Sequence, residues 1–123
     1  MQWHTVQSVH RTPEGVVQGQ VAVPEESPWF CGHFPQEPIL PGIAQLAMVE
    51  DLVRLGFSSQ YRIQEVEKVR FKKVIHPGDA VRVEVWTQDE EKALFAFQIL
   101  HLRDVACGGR AVFKKSKGME GKL

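Results

Sequence analysis

The chain has 123 residues, 43% of them hydrophobic, and its 15 lysines and arginines balance 15 aspartates and glutamates. That length suits one domain with a core of its own and is short for two. With zero formal charge there is no long-range field to gather nucleic acid, and no apolar run approaches the ~18 residues of a membrane span.

The first residues show no basic-then-apolar leader pattern. Cys31 and Cys107 stand without any other sign of a secreted disulfide scaffold, so they read as free thiols of a cytoplasmic protein. Residues 2–11 and 15–23 read as two strands, joined by a turn at Thr12-Pro13-Glu14-Gly15. Residues 24–40 are rich in proline and read as an ordered loop. A single helix is expected from residue 42 to about 55, with Gly56 as its C-terminal stop. Its first two turns are apolar on nearly every side except at Gln45, the pattern of a helix wrapped by sheet.

Four more strands are expected, over 62–75, 80–88, 93–102 and 105–113. Val81, Val83 and Val85 alternate with Arg82, Glu84 and Trp86, which marks a half-buried strand. In the next strand Phe95, Phe97 and Ile99 share one face, while Leu94, Leu100 and Leu102 make the other face apolar too. Such a strand belongs in the middle of a sheet or at a subunit contact. Between two strands, His76-Pro77-Gly78-Asp79 signals a turn. The domain is therefore expected to span 1–113, with 114–123 a frayed basic tail.

One helix and about six strands make an α+β fold, a long curved antiparallel sheet wrapped around a central helix. A single sheet leaves an edge strand and an apolar face open, so a dimer through an edge is expected.

The candidate chemistry sits at Gly32-His33-Phe34-Pro35-Gln36-Glu37-Pro38-Ile39-Leu40-Pro41-Gly42. Pro35, Pro38 and Pro41 stiffen the approach to the helix. Pro41-Gly42 suits a helix start, where the first N–H groups have no partner inside the helix. An imidazole beside free amides can move a proton next to a carbonyl whose oxygen is gaining charge. His4, His10, His76 and His101 have no metal-ligand spacing and read as strand or turn residues, so no metal or other cofactor is expected.

GHFPQEPILPG, the helix after it, and the later Val69-Arg70-Phe71-Lys72-Lys73-Val74 with Pro77-Gly78-Asp79 resemble the bacterial 3-hydroxyacyl-[acyl-carrier-protein] dehydratases of the hotdog fold. The resemblance runs from Met1 to about Phe113. The wording Pro41-Gly42-Ile43-Ala44-Gln45-Leu46 is also similar to dehydratase-like proteins of aryl-polyene-type pathways. The resemblance implies that His33 removes the α-proton of a (3R)-3-hydroxyacyl thioester and that the Gly42 N–H holds the thioester oxygen. It implies an acyl site near Phe34, Pro41, Ile43, Gln45 and Ala47, with Trp29, Phe30 and Met48 along a tunnel. It further implies a homodimer or trimer of dimers, and a substrate on acyl-carrier protein or coenzyme A. The cluster Arg70, Lys72 and Lys73, and Lys114, Lys115 and Lys117, would meet an acidic carrier or simply face solvent.

The family's third element is a helix carboxylate fourteen residues after the histidine, supplied across the dimer; here that position is Ala47. Glu50 and Asp51 stand three and four positions further on, on roughly the same side. Glu50 is the substitute acid to test, against the reading that both end the helix in solvent. Gln45 lies about 160° round from Ala47 at ~100° per residue and cannot act as an acid. Glu37 in the loop is another carboxylate in range, and a Cys31–His33 nucleophile has nothing to orient it. A one-base route through His33 alone is also open. The expected function is dehydration of (3R)-3-hydroxyacyl thioesters to trans-2-enoyl thioesters in fatty-acid or polyene-type biosynthesis. The alternatives are a non-catalytic acyl-thioester-binding subunit that completes a site with a partner chain, and an acyl thioesterase.

Overall fold

Among the described residues, one helix packs against a sheet of six antiparallel strands. The computed structural model describes residues 4–28 and 39–116. Its elements are β1 (Thr5–Arg11), β2 (Val17–Ala22), α1 (Gly42–Gly56), β3 (Tyr61–Phe71), β4 (Ala80–Asp89), β5 (Leu94–His101) and β6 (Asp104–Lys115). In the strand order β1-β2-β4-β5-β6-β3 the edges are β1 and β3, and β5 lies inside the sheet, one of the two places expected for it.

Alternation builds the core. Val81, Val83 and Val85 of β4 are fully buried, and so are Val17 and Val21 of β2 beside them. Helix α1 lays Ala44, Met48, Val49, Leu52 and Val53 onto this surface, a spacing that keeps one side of a 3.6-residue helix inward. Gly19 lets it come close, because a Cβ there would stand 2.5 Å from Leu52 Cδ1. Phe95 and Phe113 meet edge to face at 5.2 Å and close one end of the core together with Phe57 and Tyr61.

The helix differs from a fully wrapped one. Ile43 is 70% and Leu55 62% exposed, so apolar side chains at both ends of the helix face away from the sheet. An open sheet has one concave face and covers only one side of a helix. The stop at Gly56 also has a different cause from the one expected. Gly56 does not adopt a left-handed φ; its missing side chain makes room for Val17, 2.8 Å from where a Cβ would lie. The chain leaves the helix at Phe57, whose N–H still bonds Val53 O at 2.9 Å.

At the C-terminal side, β6 continues to Lys115 because Tyr61 and Arg62 pair with Lys115 and Lys114. These two lysines therefore belong to the sheet, two residues past the expected boundary. Strand β3 stops early, at Phe71, where the backbone turns so that Lys72 and Lys73 N–H both reach Ala106 O.

The β5–β6 hairpin holds an exposed Leu102 at φ 60°. A side chain there crowds its own carbonyl, which glycine avoids. Leu102→Gly is expected to raise the unfolding free energy by about 1 kcal/mol, read as a higher urea midpoint with unchanged slope. A lower midpoint would show that Leu102 is covered in the working assembly.

Candidate active site

The N-terminus of α1 opens on a cleft of about 240 Å³. Ile39, Leu40, Pro41, Gly42 and Gln45 form one wall, and Phe71, Lys72, Lys73 and Val74 the other. Two backbone bonds build it. Leu40 N–H donates to Ile75 O at 2.7 Å, which holds the segment entering the helix beside the link that follows β3. Lys72 N–H donates to Ala106 O at 2.7 Å and fixes the opposite wall.

Pro41 caps the helix in an extended conformation with no side-chain cap, and its carbonyl takes the N–H groups of Ala44 and Gln45 at 3.1 and 3.3 Å. The N–H groups of Gly42 and Ile43 come before these, so they have no acceptor in the helix. No acidic residue occupies the first turn. The positive end of the helix dipole is thus left for an oxygen that is gaining negative charge. Glycine is needed at 42 for space, since a Cβ would stand 2.7 Å from the tip of the Phe71 ring. Phe71 is half exposed and forms part of the opposite wall.

Of the residues expected at the site, Pro41, Gly42 and Gln45 line this cleft. Ile43 points outward, and Ala47 is half-buried on the same outer side of the helix one turn on. Met48 is fully buried in the core. His33 and Phe34 lie outside the described residues, as do Trp29, Phe30, Cys31, Glu37 and Lys117. In the sequence His33 stands six positions before Ile39, where the cleft wall begins.

The helix carboxylates are engaged elsewhere. Glu50 Oε2 accepts the N–H of Ile63 at 2.8 Å and ties β3 to the helix. Asp51 Oδ2 lies 2.7 Å from Nε2 of His4, at the head of β1. Neither lines the cleft. Both partners are remote in sequence, so helical spacing did not reveal them. One further residue, Phe71, was missed, and the burial of the expected Gln45 was not foreseen. Gln45 is 3% exposed although polar, and Phe71 covers the helix start. The all-round apolar helix hid which side turns inward.

Lys73 pairs with Asp104 at 2.7 Å on the surface and holds that carboxyl below its usual pKa. Arg62, Lys114 and Lys115 line a larger cleft of about 550 Å³ at the other end of β3. Cys107 is a buried free thiol, and burial pushes its pKa up to about 11. No cluster of metal-binding side chains occurs among the described residues. No helix among them is long and apolar enough to cross a membrane.

The family model described as ApeI dehydratase matches residues 9–110. This chain belongs to the ApeI-like dehydratase family. It is 33% identical to the 3-hydroxyacyl-[acyl-carrier-protein] dehydratase FabZ of Alkalilimnicola ehrlichii over 81 residues, 58% of this chain and 52% of that one. That match spans about half the length of the Alkalilimnicola relative. The FabZ of Shewanella pealeana is 27% identical over 121 residues, covering 84% of this chain and 79% of that one. Among solved structures, the dehydratase heterocomplex ApeI:P from Xenorhabdus doucetiae superposes with a TM-score of 0.79 at 23% identity. The superposition covers 90% of this chain and 97% of that one, and it establishes the hotdog fold. The ApeI-like family and the FabZ relatives place the chain among the hotdog dehydratases, the class that its GHFP loop and helix start resemble.

Proposed function

We propose that the protein dehydrates (3R)-3-hydroxyacyl thioesters carried on acyl-carrier protein to trans-2-enoyl thioesters. The Gly42 N–H at the cleft, which has no acceptor in the helix, carries the reading, together with His33 nine positions earlier in the sequence. In this scheme the Gly42 N–H holds the thioester oxygen while His33 takes the α-proton. The enolate collapses as the β-hydroxyl leaves, and the proton on His33 goes to that oxygen to form water. One group thus serves as base and then as acid, so no helix carboxylate is required. A thioesterase reading is weaker, because the matching family model and the curated relatives are dehydratases.

Within this scheme Glu50 is a structural anchor. Glu50→Gln keeps an oxygen for the Ile63 N–H and removes the acid, so kcat is expected to stay within about 3-fold of wild type, far short of the 10²-fold or more that a lost general acid costs. Glu50→Ala leaves that amide without its acceptor and is expected to lower stability by about 1–2 kcal/mol. A loss of kcat in a folded Glu50→Gln protein would instead make Glu50 the relocated acid. The test of the function is conversion of a (3R)-3-hydroxyacyl carrier-protein thioester, followed in both directions. Pure, folded wild type with no turnover would overturn the stand-alone enzyme.

A second reading rests on the exposed Ile43 and the half-buried Ala47. A different hotdog chain could cover this side of α1 and supply the missing carboxylate. The Xenorhabdus structure of the same fold is a heterocomplex. In either case the edge strand β3, where Val66 and Phe71 are exposed, offers unpaired backbone for a partner. Turnover that appears only after a second chain is added would select this reading.

A further inference from the structure

Gln45 is a buried polar side chain whose amide is only half satisfied. Its Nε2 donates to Leu40 O at 3.4 Å, and its Oε1 has no hydrogen-bond partner among the described residues. The Leu40 carbonyl requires a donor, which orients the amide and leaves the carbonyl oxygen as the free group. A buried acceptor without a partner opposes folding, and apolar side chains surround this one on α1. Retaining glutamine at such a place makes sense if a ligand brings the donor.

The position says which donor. Gln45 lines the same cleft as Gly42 and stands one helical turn beyond it, ~4.5 Å along the axis. Gly42 is half-buried at the mouth, whereas Gln45 is 3% exposed, so Gln45 lies on the deeper side. A thioester whose carbonyl sits at the Gly42 N–H directs its acyl carbons inward and its carrier arm outward. The hydrogen-bond donor on the inward side is the hydroxyl on the β-carbon. We infer that Gln45 Oε1 accepts the hydrogen of the substrate's β-hydroxyl and so selects 3-hydroxyacyl chains over those without the hydroxyl. This rests on the acyl-thioester reading above.

With its hydrogen held by Gln45, the hydroxyl oxygen keeps its lone pairs free to receive the proton released by the base. The product, an enoyl chain, has no donor for Oε1 and loses the contact. Gln45 is therefore a specificity residue that also favours product release.

The test is calorimetric binding of two inert pantetheine conjugates, in which an amide replaces the thioester. One bears a short (3R)-3-hydroxyacyl chain and the other the saturated chain of equal length. Wild type is expected to bind the hydroxylated ligand about 10-fold more tightly, the value of one neutral hydrogen bond. Gln45→Leu and Gln45→Met should erase that preference, leave the saturated ligand's affinity unchanged and not lower the melting temperature. Equal loss for both ligands would move the contact to the shared carrier arm and overturn the assignment. So would a preference that survives in both folded variants. Unfolding of both variants would also overturn it, since the amide would then be structural. Wild type that binds neither ligand would remove the acyl-thioester reading itself.

Discussion

Replacing His33 by alanine is expected to lower kcat for dehydration by about 10²–10⁴-fold while leaving the fold intact. General-base catalysis contributes on that scale, and in the proposed scheme the same imidazole also returns the proton to the leaving oxygen, which places the effect toward the upper end. The Gly42 N–H would still bind the thioester oxygen, so KM should change little. This split separates a chemical role from a binding one. The reverse reaction, hydration of the enoyl thioester, must fall by the same factor, since both directions share one transition state. The wild-type rate should rise with pH as the base loses its proton, and no falling limb is expected while no carboxylic acid takes part. A His33→Ala protein with normal turnover would exclude the proposed mechanism at its first step.

Much of this was legible in the residues. The period-2 valines of β4 fixed one sheet face, and the two-faced apolar pattern of β5 left it two places, of which it takes the one inside the sheet. The Pro-Gly pair marked the helix start to the residue. What stayed hidden depends on contacts across the fold. Glu50 and Asp51 read as helix-end carboxylates because Ile63 and His4 come to them only through the sheet. Gly56 read as the helix stop, but its physical reason, close approach to Val17, lies 39 positions earlier in the chain. Gln45 was correctly set on a different side of the helix from Ala47. That its side is the inward one follows from which apolar residues the sheet can cover, and Ile43 and Leu55 were equally good candidates by composition.

Restoring the helix acid, by contrast, should speed the enzyme. Ala47→Glu is expected to raise kcat about 10–100-fold, below the ceiling of about 10⁴ for general-acid help. Ala47 is half-buried on the outer side of α1 with Ile43 and is not one of the core residues, so a glutamate there leaves the core packing in place. In the shared-site dimer that the resemblance implies, this side would face the partner subunit's site. Partial burial at such an interface raises a carboxyl pKa and keeps more of it protonated, the form that donates. The pH profile should change with the rate. Wild type needs only a deprotonated base, whereas the variant needs a protonated acid as well, so a falling limb appears at higher pH and the curve becomes a bell. The double variant His33→Ala/Ala47→Glu separates the roles, because an acid alone cannot remove the α-proton and should leave the enzyme slow. A folded, oligomeric Ala47→Glu protein with unchanged rate and an unchanged pH curve would mean that this side of the helix does not reach a partner's site. The shared-site geometry would then have to be abandoned, while the fold and the Gly42 cleft would stand.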